Sequence, residues 1–343
     1  MKRAIKWVSL SLAALLLALS LLAVTIVFRP FQLHHLQGTA QEVSVAGLAV
    51  PSFSMQENGD FRLIQVNDTH LYNGSGKTDS KTLADLRAVL EKEKPALVIA
   101  NGDILDGINY YLHNNKRRAA EAFAQLMEDL GIYWAYVPGN NDGETLGSER
   151  DVTAFFSQYP HCIVANEKDL TGATQFSIPL TDAEDETVHT LILLDSLARD
   201  AKRQYDYIKD DQLAWLKRTL DAQNGRPVSL FFHMDTPGFL TARDGGVLYQ
   251  EGYAPIAPGM YSGIPKNTAV DAVIAEAKNI GLVSIGHIHP DSNWCNFFEG
   301  RYYHVARAAG YEVTPQPGVT AITIHTAQSD SRAMYDFEDI LYE

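Results

Sequence analysis

Residue types that bind metal ions recur at five places in the sequence, each directly after an apolar segment. In chain order these places are Asp68-Thr69-His70, Gly102-Asp103, Gly139-Asn140-Asn141-Asp142, His233 and Gly286-His287-Ile288-His289. Imidazole, carboxylate and amide oxygen together suit zinc, iron or manganese better than a thiolate site or an all-oxygen calcium cage. One carboxylate can join two cations, and a pair about 3.5–4 Å apart is a recurring device in hydrolysis at phosphorus. The pattern predicts a metal centre of this kind.

Each piece taken alone has an ordinary structural explanation. Asp-x-His is common by chance, Gly-Asp-x-x-Asp is often a plain turn, and a single histidine at a strand end is usually a satisfied core residue. Only Gly-His-x-His is more specific. It is the occurrence of all five pieces in this order, each at the end of a predicted strand, that favours the metal centre over the structural explanation.

The segments between these motifs predict alternating strands and helices. Helical spacing of apolar residues indicates helices over 80–92, 116–130, 210–220 and 268–278. Short apolar runs indicate strands over 61–66, 96–100, 132–137, 228–232 and 282–285, with closing strands over 302–305 and 319–324. Strand and helix alternation predicts a layered α/β core. In such folds ligands gather where the carboxyl ends of strands converge, which is where all five motifs fall.

Composition and charge narrow the class of protein. The chain has 343 residues, of which 46% are hydrophobic and 20% are charged, as expected for a globular domain with a sizeable core. Its 28 basic and 42 acidic residues give a net charge of -14. Affinity for nucleic acids depends on lysine and arginine, so this balance disfavours a nucleic-acid partner and a nuclease.

The N-terminus predicts a membrane anchor. Lys2, Arg3 and Lys6 precede an apolar run over 7–28, which as a helix would span roughly 33 Å, enough for a bilayer core. Signal-peptide cores are usually shorter, so an uncleaved anchor is favoured over a signal cleaved near Ala18-Leu19-Ser20 or a buried core helix. The basic flank should stay in the cytoplasm and place the rest of the chain outside.

These features predict a division into three parts: a transmembrane segment over 1–30, a linker with the first strands over 31–60, and a catalytic domain over 61–343. The two cysteines, Cys162 and Cys295, could pair in an extracytoplasmic compartment, although neither spacing nor context predicts that they are close.

The ordered motifs resemble those of the calcineurin-like metallophosphoesterase superfamily: Asp-x-His, Gly-Asp, Gly-Asn-His-Asp/Glu, His and Gly-His-x-His. The similarity extends from Phe61 to about Ile324. The segments 61–66, 193–196, 231–233 and 303–311 further resemble the purple-acid-phosphatase-29-like branch. The resemblance implies an α/β fold in which a layered β-sandwich is flanked by helices.

The resemblance also implies a role for each residue. Asp68, His70 and His289 would hold a first metal ion, Asn140, His233 and His287 a second, and Asp103 would bridge both. A metal-bound hydroxide would attack the phosphorus of a small mono- or diester substrate in line, outside the cytoplasm. The ions would be divalent or trivalent iron, manganese or zinc.

One position departs from the family pattern. The family has histidine after the Gly-Asn of the third motif, where it contacts phosphate and protonates the leaving group, and this chain has Asn141. An amide can bind a phosphate oxygen but cannot supply a proton at neutral pH. Asn141 and Asp142 are therefore candidates for phosphate contact or for support of the ligands. With His70 present, Asp106 is expected to lie behind the ligands and not to bind a metal ion itself. The rival hypothesis is a degenerate metal-binding module that recognises a phosphorylated ligand without turnover.

Overall fold

The computed structural model describes residues 50–107, 115–144, 148–202, 204–248, 268–290, 294–328 and 330–343. The predicted transmembrane segment 1–30 and most of the predicted linker 31–60 lie outside these ranges, so the three-part division stays a prediction. Within the ranges, no helix combines the length and the apolar character needed to cross a bilayer.

The described residues contain fourteen strands. In chain order they are β1 (Phe53–Ser54), β2 (Asp60–Val66), β3 (Leu97–Asn101), β4 (Trp134–Val137), β5 (Cys162–Ile163), β6 (Gln175–Thr181), β7 (Thr187–Leu194), β8 (Val228–Phe231), β9 (Val247–Leu248), β10 (Ile280–Ile285), β11 (Trp294–Phe298), β12 (Arg301–Val305), β13 (Gly318–His325) and β14 (Tyr335–Leu341). All the predicted strands from residue 61 onwards are present, most of them with ends shifted by one or two residues.

The same residues contain seven helices: α1 (Lys77–Glu93), α2 (Lys116–Leu130), α3 (Asn140–Glu144), α4 (Glu149–Phe156), α5 (Asp210–Ala222), α6 (Pro237–Gly245) and α7 (Thr268–Glu276). The four predicted helices correspond to α1, α2, α5 and α7. The sequence pattern missed α3, α4 and α6. With five and eight residues, α3 and α4 have too few turns for helical periodicity to be visible. Helix α6 buries only Phe239 and Ala242, whereas α7, of equal length, buries apolar residues at helical spacing. In α4 the local signal is the capping box of Ser148 and Asp151.

The strands form two mixed sheets within the described residues. The six-stranded sheet has the order β14-β13-β2-β3-β4-β5, and the eight-stranded sheet has the order β1-β6-β7-β8-β10-β12-β11-β9. The neighbours β2, β3 and β4 run parallel, as do β7, β8 and β10. The carboxyl ends of these central strands therefore lie at a common edge of each sheet.

Successive side chains of a strand point to opposite faces of its sheet, so each sheet contributes apolar residues to two layers of the core. Leu63 and Ile99 of the six-stranded sheet pack with Leu193 and Leu282 of the eight-stranded sheet in the interior of a sandwich. The opposite face of the six-stranded sheet packs against α1, α2 and α4, and that of the eight-stranded sheet against α5, α6 and α7. Burial of each such aliphatic side chain stabilises the fold by about 1.5–3 kcal/mol. The predicted α/β sandwich flanked by helices is confirmed.

Buried polar side chains join the two sheets at the edge where the central strands end. The Asn101 amide donates to the carbonyl oxygen of Phe232 at 3.0 Å. The Gln65 amide donates to that of Ile285 at 3.1 Å and accepts from Ser284 Oγ at 2.5 Å. These side chains are shielded from water, where an unpaired amide would be costly. The contacts therefore fix how the sheets lie relative to one another.

A second polar cluster lies at the amino end of β2. The ring of His325 lies between two carboxylates, with Nδ1 2.6 Å from Asp60 Oδ1 and Nε2 3.0 Å from Asp336 Oδ2. Partial burial of the ring opposes its protonation, but the two carboxylates outweigh this and raise the pKa of His325 above its ordinary value. Only the protonated imidazole can donate from both nitrogens.

We predict that His325 stabilises the fold more at low pH than at high pH. A raised folded-state pKa gives a contribution that is complete below the unfolded pKa of about 6.5 and is lost as pH rises through the folded value. Thermal unfolding of the native protein and of His325→Gln should therefore show a gap in Tm at pH 6 that shrinks by pH 9. A gap of equal size at both pH values would contradict the assignment.

Candidate metal centre

The predicted ligands lie on loops that follow five strands, three in one sheet and two in the other. They are Asp68 and His70 after β2, Asp103 after β3, Asn140 after β4, His233 after β8, and His287 and His289 after β10. All seven are buried or partly buried. The site therefore exists only where the two sheet edges meet.

Several of these side chains depend on unusual backbone geometry. Five of the seven have a positive φ, which side-chain-bearing residues seldom adopt: Asp68, His70, Asp103, His287 and His289. Each such residue costs of order 1–3 kcal/mol and persists only where its surroundings hold it. Here the loops after β2 and β3 hold each other, because Asp68 N donates to Gly102 O at 3.0 Å and His70 N to Asp103 O at 3.1 Å.

Gly102 is required by close approach as well as by its own φ of +86°. A Cβ atom at this position would lie 2.4 Å from Nδ1 of His233. Since His233 belongs to the other sheet, any larger residue at position 102 would push the two edges of the site apart.

Four of the predicted ligands form a first group around Asp68. Asp68, His70, Asp103 and His289 each offer one ligand atom, and these atoms lie within 4.8 Å of one another. The Nε2 atoms of His70 and His289 are 3.1 Å apart, and His289 Nε2 is 3.2 Å from Asp68 Oδ1. Two imidazoles and two carboxylates directed at one small volume could hold a metal ion.

A second group shares Asp103 with the first. Asp103, His233 and His287 also offer ligand atoms within 4.8 Å of one another, and His233 Nε2 is 3.2 Å from Asp103 Oδ2. Asn140 lies beside this group, since the main-chain nitrogen of the next residue, Asn141, donates to Asp103 Oδ1 at 2.7 Å. Asp103 therefore occupies the position expected of a bridging carboxylate.

Unpartnered atoms in the second group suit a bound cation. Asn140 Oδ1, His233 Nε2 and His287 Nδ1 are buried and have no hydrogen-bond partner among the described residues, although His233 Nε2 lies within ion-pair distance of Asp103 Oδ2. Buried polar atoms are seldom left unpaired in folded proteins, and a role in binding an ion is one recurrent reason. Nitrogen and oxygen donors in this combination fit zinc, iron or manganese.

Neighbouring groups fix the orientation of the histidine rings. His70 Nδ1 lies 3.2 Å from Asp106 Oδ1, so Asp106, which was expected behind the ligands, contacts one of them. His233 Nδ1 donates to the carbonyl oxygen of Asn101 at 2.8 Å. Each contact turns the Nε2 atom towards the centre, as is usual for histidines that bind metals.

The electrostatics of the site favour ionised carboxylates. Burial opposes the charge of Asp68, but His289 and His233 lower the pKa of that carboxyl below its ordinary value. Burial likewise opposes the charge of Asp103, and His233 and His70 lower its pKa. For His287, burial and the neighbouring His233 lower the pKa to about 3. His287 is therefore neutral, which is the form of imidazole that binds metals.

Two residues of the third motif, Asn141 and Asp142, make different contacts. The Asn141 side chain is half-buried and donates to Asp103 Oδ2 at 2.6 Å. Asp142 is fully buried, and its two oxygens accept from Leu105 N and Gly139 N, each at 2.8 Å. Of the two predicted roles, support rather than phosphate contact is the one that fits Asp142, because it ties the loops after β3 and β4 together.

The other histidines from residue 113 onwards are not among the candidate ligands. His113 lies outside the described ranges. His161, His189, His304 and His325 are in neither group of potential ligands and have partners elsewhere: Glu128, Ser229, Ser284, and Asp60 with Asp336, respectively. Both cysteines are free, so the disulfide considered for them is not formed in this structure.

Sequence reasoning missed several residues that shape the site. Asn101 precedes Gly102-Asp103 and orients His233. Ser196, just after β7, accepts from Met234 N at 3.0 Å and so holds the loop after His233. The ring of Tyr205 meets that of His287 edge-on, with centroids 5.5 Å apart. Of these, only Asn101 carried a sequence signal, because it is polar and directly follows the strand predicted over 96–100.

The sequence model of the calcineurin-like phosphoesterase family matches residues 61–291. This is more than half of the chain, and the chain belongs to that family.

Two relatives from Arabidopsis thaliana are similar over most of the chain. "Probable inactive purple acid phosphatase 28" is 24% identical over 307 residues, covering 76% of this chain and 73% of its own. "Probable inactive purple acid phosphatase 29" is 24% identical over 304 residues, covering 74% and 75%. The resemblance to this branch is confirmed.

Among solved structures, a dimetal phosphatase from Danio rerio superimposes with a TM-score of 0.52. The match covers 82% of this chain and 99% of the other, at 15% sequence identity. At that identity the likeness shows the fold alone.

We predict that Asp103→Asn loses one of two bound metal ions and at least about a hundredfold in activity. The substitution removes a negative charge and an oxygen ligand from the carboxylate that both ligand groups share. Elemental analysis of metal content and ester turnover measure the two effects. Asp169→Asn is the matched control, since Asp169 is exposed and shares the positive φ. Unchanged metal content in Asp103→Asn would refute the bridging role.

Proposed function

We propose that this protein is a hydrolase of phosphate monoesters or diesters that works with two metal ions. The observation that carries the proposal is the pair of ligand groups that share Asp103. A single structural metal would need only one closed group, whereas two adjacent groups with a common carboxylate match the device used by phosphatases.

In this proposal Asp68, His70 and His289 hold one ion and Asn140, His233 and His287 the other, with Asp103 between them. When bound, two such ions lower the pKa of water and offset the charge on phosphoryl oxygens. The chain itself orients the ligands through Asp106 and Asn101. The half-buried Asn141 amide donates one N–H to Asp103 Oδ2, and in this proposal its second N–H donates to a phosphate oxygen.

The same residue limits the range of substrates. A carboxamide cannot release a proton at neutral pH, so Asn141 cannot protonate a departing oxygen. We infer that the protein prefers esters whose leaving group is stable as an anion. Long nucleic acids are poor candidates because of the net charge of -14.

A second candidate function is recognition of a phosphorylated ligand without turnover. Two observations favour it: Asn141 replaces the family's proton donor, and the two Arabidopsis relatives are named as probable inactive phosphatases. The intact ligand groups favour the hydrolase, because a binding module has no need of the geometry around Asp103.

We further propose that the chain is anchored in a membrane with its catalytic part outside the cytoplasm. The support is the basic flank of Lys2, Arg3 and Lys6 followed by the apolar run over 7–28, together with the tendency of such flanks to remain cytoplasmic. The substrate would then be a phosphate ester present outside the cell or in a luminal space.

The proposed function predicts that aryl phosphates are cleaved well and alkyl phosphates poorly by the metal-loaded protein. General acid catalysis typically contributes about 10²–10⁴-fold. Turnover of alkyl esters should therefore be lower than turnover of aryl esters by a comparable factor. Asn141→His should raise the ratio of alkyl to aryl turnover by at least about tenfold by supplying a donor. The measurement is steady-state turnover of matched aryl and alkyl mono- and diesters at saturating metal, with Asn224→His, at an exposed position, as control.

Three outcomes distinguish the alternatives. Efficient cleavage of alkyl esters by the native protein, unchanged in Asn141→His, would show that another group supplies the proton. Tight metal binding with no turnover of any ester by either protein would favour the binding module. Turnover of DNA or RNA but not of small esters would identify a nuclease.

The proposed topology predicts that protease added to intact cells or spheroplasts digests the catalytic part and spares only a short N-terminal fragment. Immunodetection with tags at both ends measures this, and permeabilised cells serve as the control. A catalytic part that is protected in intact cells and digested after permeabilisation would refute the topology.

A further inference from the structure

Lys116, the first residue of α2, is unusual both in its charge at a helix N-terminus and in its burial. Lys116, Arg117 and Arg118 open the helix and no acidic residue lies in its first turn, although positive charge at a helix N-terminus is unfavourable. Lys116 is also only 1% exposed, while lysine is rarely buried unless its charge is compensated. Exceptions of this kind to local rules are expected mainly where a residue serves a function.

The buried ammonium group contacts the loop that carries Asn140. Lys116 Nζ donates to the carbonyl oxygen of Asn141 at 3.1 Å and to that of Asp142. Both carbonyl groups belong to the single-turn helix α3. A lysine at the carboxyl end of a helix satisfies carbonyl groups that lack partners within the helix.

The opposite side of α3 contacts the metal centre. Asn141 N and Nδ2 donate to the two oxygens of Asp103 at 2.7 and 2.6 Å. The short helix is thus held between a carboxylate of the candidate centre and a buried cation. Asn140 lies on this same turn, with Oδ1 buried and unpartnered.

We propose that Lys116 is a positioning residue for the second metal ion, and that it acts by fixing α3 so that Asn140 is presented to the ion. The proposal rests on the proposed two-metal function. A five-residue helix cannot hold its own orientation, because isolated helices of this length are unstable. The ammonium group supplies the missing restraint on its carbonyl side.

The proposal makes a selective prediction about metal binding. In Lys116→Met, affinity for the second equivalent of Mn²⁺ should fall about 10–100-fold, the usual range for loss of a residue that supports a metal ligand. Affinity for the first equivalent should fall by a smaller factor, because Asp68, His70 and His289 make no hydrogen bond to α3 within the described residues, and only the shared Asp103 does. Lys116→Arg, which keeps the charge and the donors, should recover most of the loss.

The experiment is titration of the metal-free full-length protein with Mn²⁺, followed by calorimetry and by electron paramagnetic resonance, which distinguishes a coupled pair of ions from a single ion. Arg117→Met is the matched control, because Arg117 is the next residue of the same helix and pairs with Glu121 on the surface. Thermal unfolding of each metal-free variant measures any loss of fold.

The outcomes separate the two proposals. A native protein that binds fewer than two ions overturns the proposed function itself. A native protein that binds two ions, with Lys116→Met binding both as tightly, overturns the role of Lys116. Equal weakening of both equivalents together with a lowered Tm shows a purely structural role and also overturns it. If Lys116→Met does not fold, Lys116→Gln, which keeps one donor, is judged by the same criteria.

Discussion

The contact on which the site depends is the set of buried hydrogen bonds between the carboxyl edges of the two sheets. Most of the sandwich interior is apolar, and apolar contacts alone tolerate sliding because they have no direction. Hydrogen bonds are directional, and the ones here join the Asn101 amide to the carbonyl oxygen of Phe232, and Gln65 to Ile285 and Ser284. Because they are buried, breaking them costs much free energy. These hydrogen bonds fix the position of one sheet relative to the other at the edge where the ligands from the two sheets meet. Asn101 extends the same connection into the site, since its own carbonyl oxygen accepts from His233.

The site is also where the chain concentrates its conformational strain. Most of the candidate ligands have positive φ, and the surrounding fold must compensate for each of them. The compensation is visible as backbone hydrogen bonds between the loops after β2 and β3 and as the Asp142 carboxylate that joins the loops after β3 and β4. Backbone strain that is offset in this way is consistent with a metal centre whose donor atoms must stay within about half an ångström of a required position.

Family membership and ligand geometry do not by themselves determine catalysis. Hydrolysis of a phosphate ester needs both stabilisation of charge on phosphorus and departure of the leaving group. The candidate ligands serve the first requirement, whereas Asn141 bears on the second and differs from the family pattern. The relatives from Arabidopsis carry names that state probable inactivity.

The sequence by itself determined the layered α/β class, the long helices and central strands, and the ligand types, because apolar periodicity and motif order are local properties of the chain. Through the family pattern it also indicated that Asp106 lies behind the ligands, whereas the contact of Asp106 with His70 was seen only in the structure. Three further features were decided only by the tertiary structure. The short helices α3, α4 and α6 lacked a visible period. The bonds from Asn101 and Gln65 join residues more than a hundred positions apart, so no local pattern encodes them. The burial of Lys116 against α3 depends on how α2 packs beside the loop after β4, and a basic residue at the start of a helix otherwise predicts an exposed side chain.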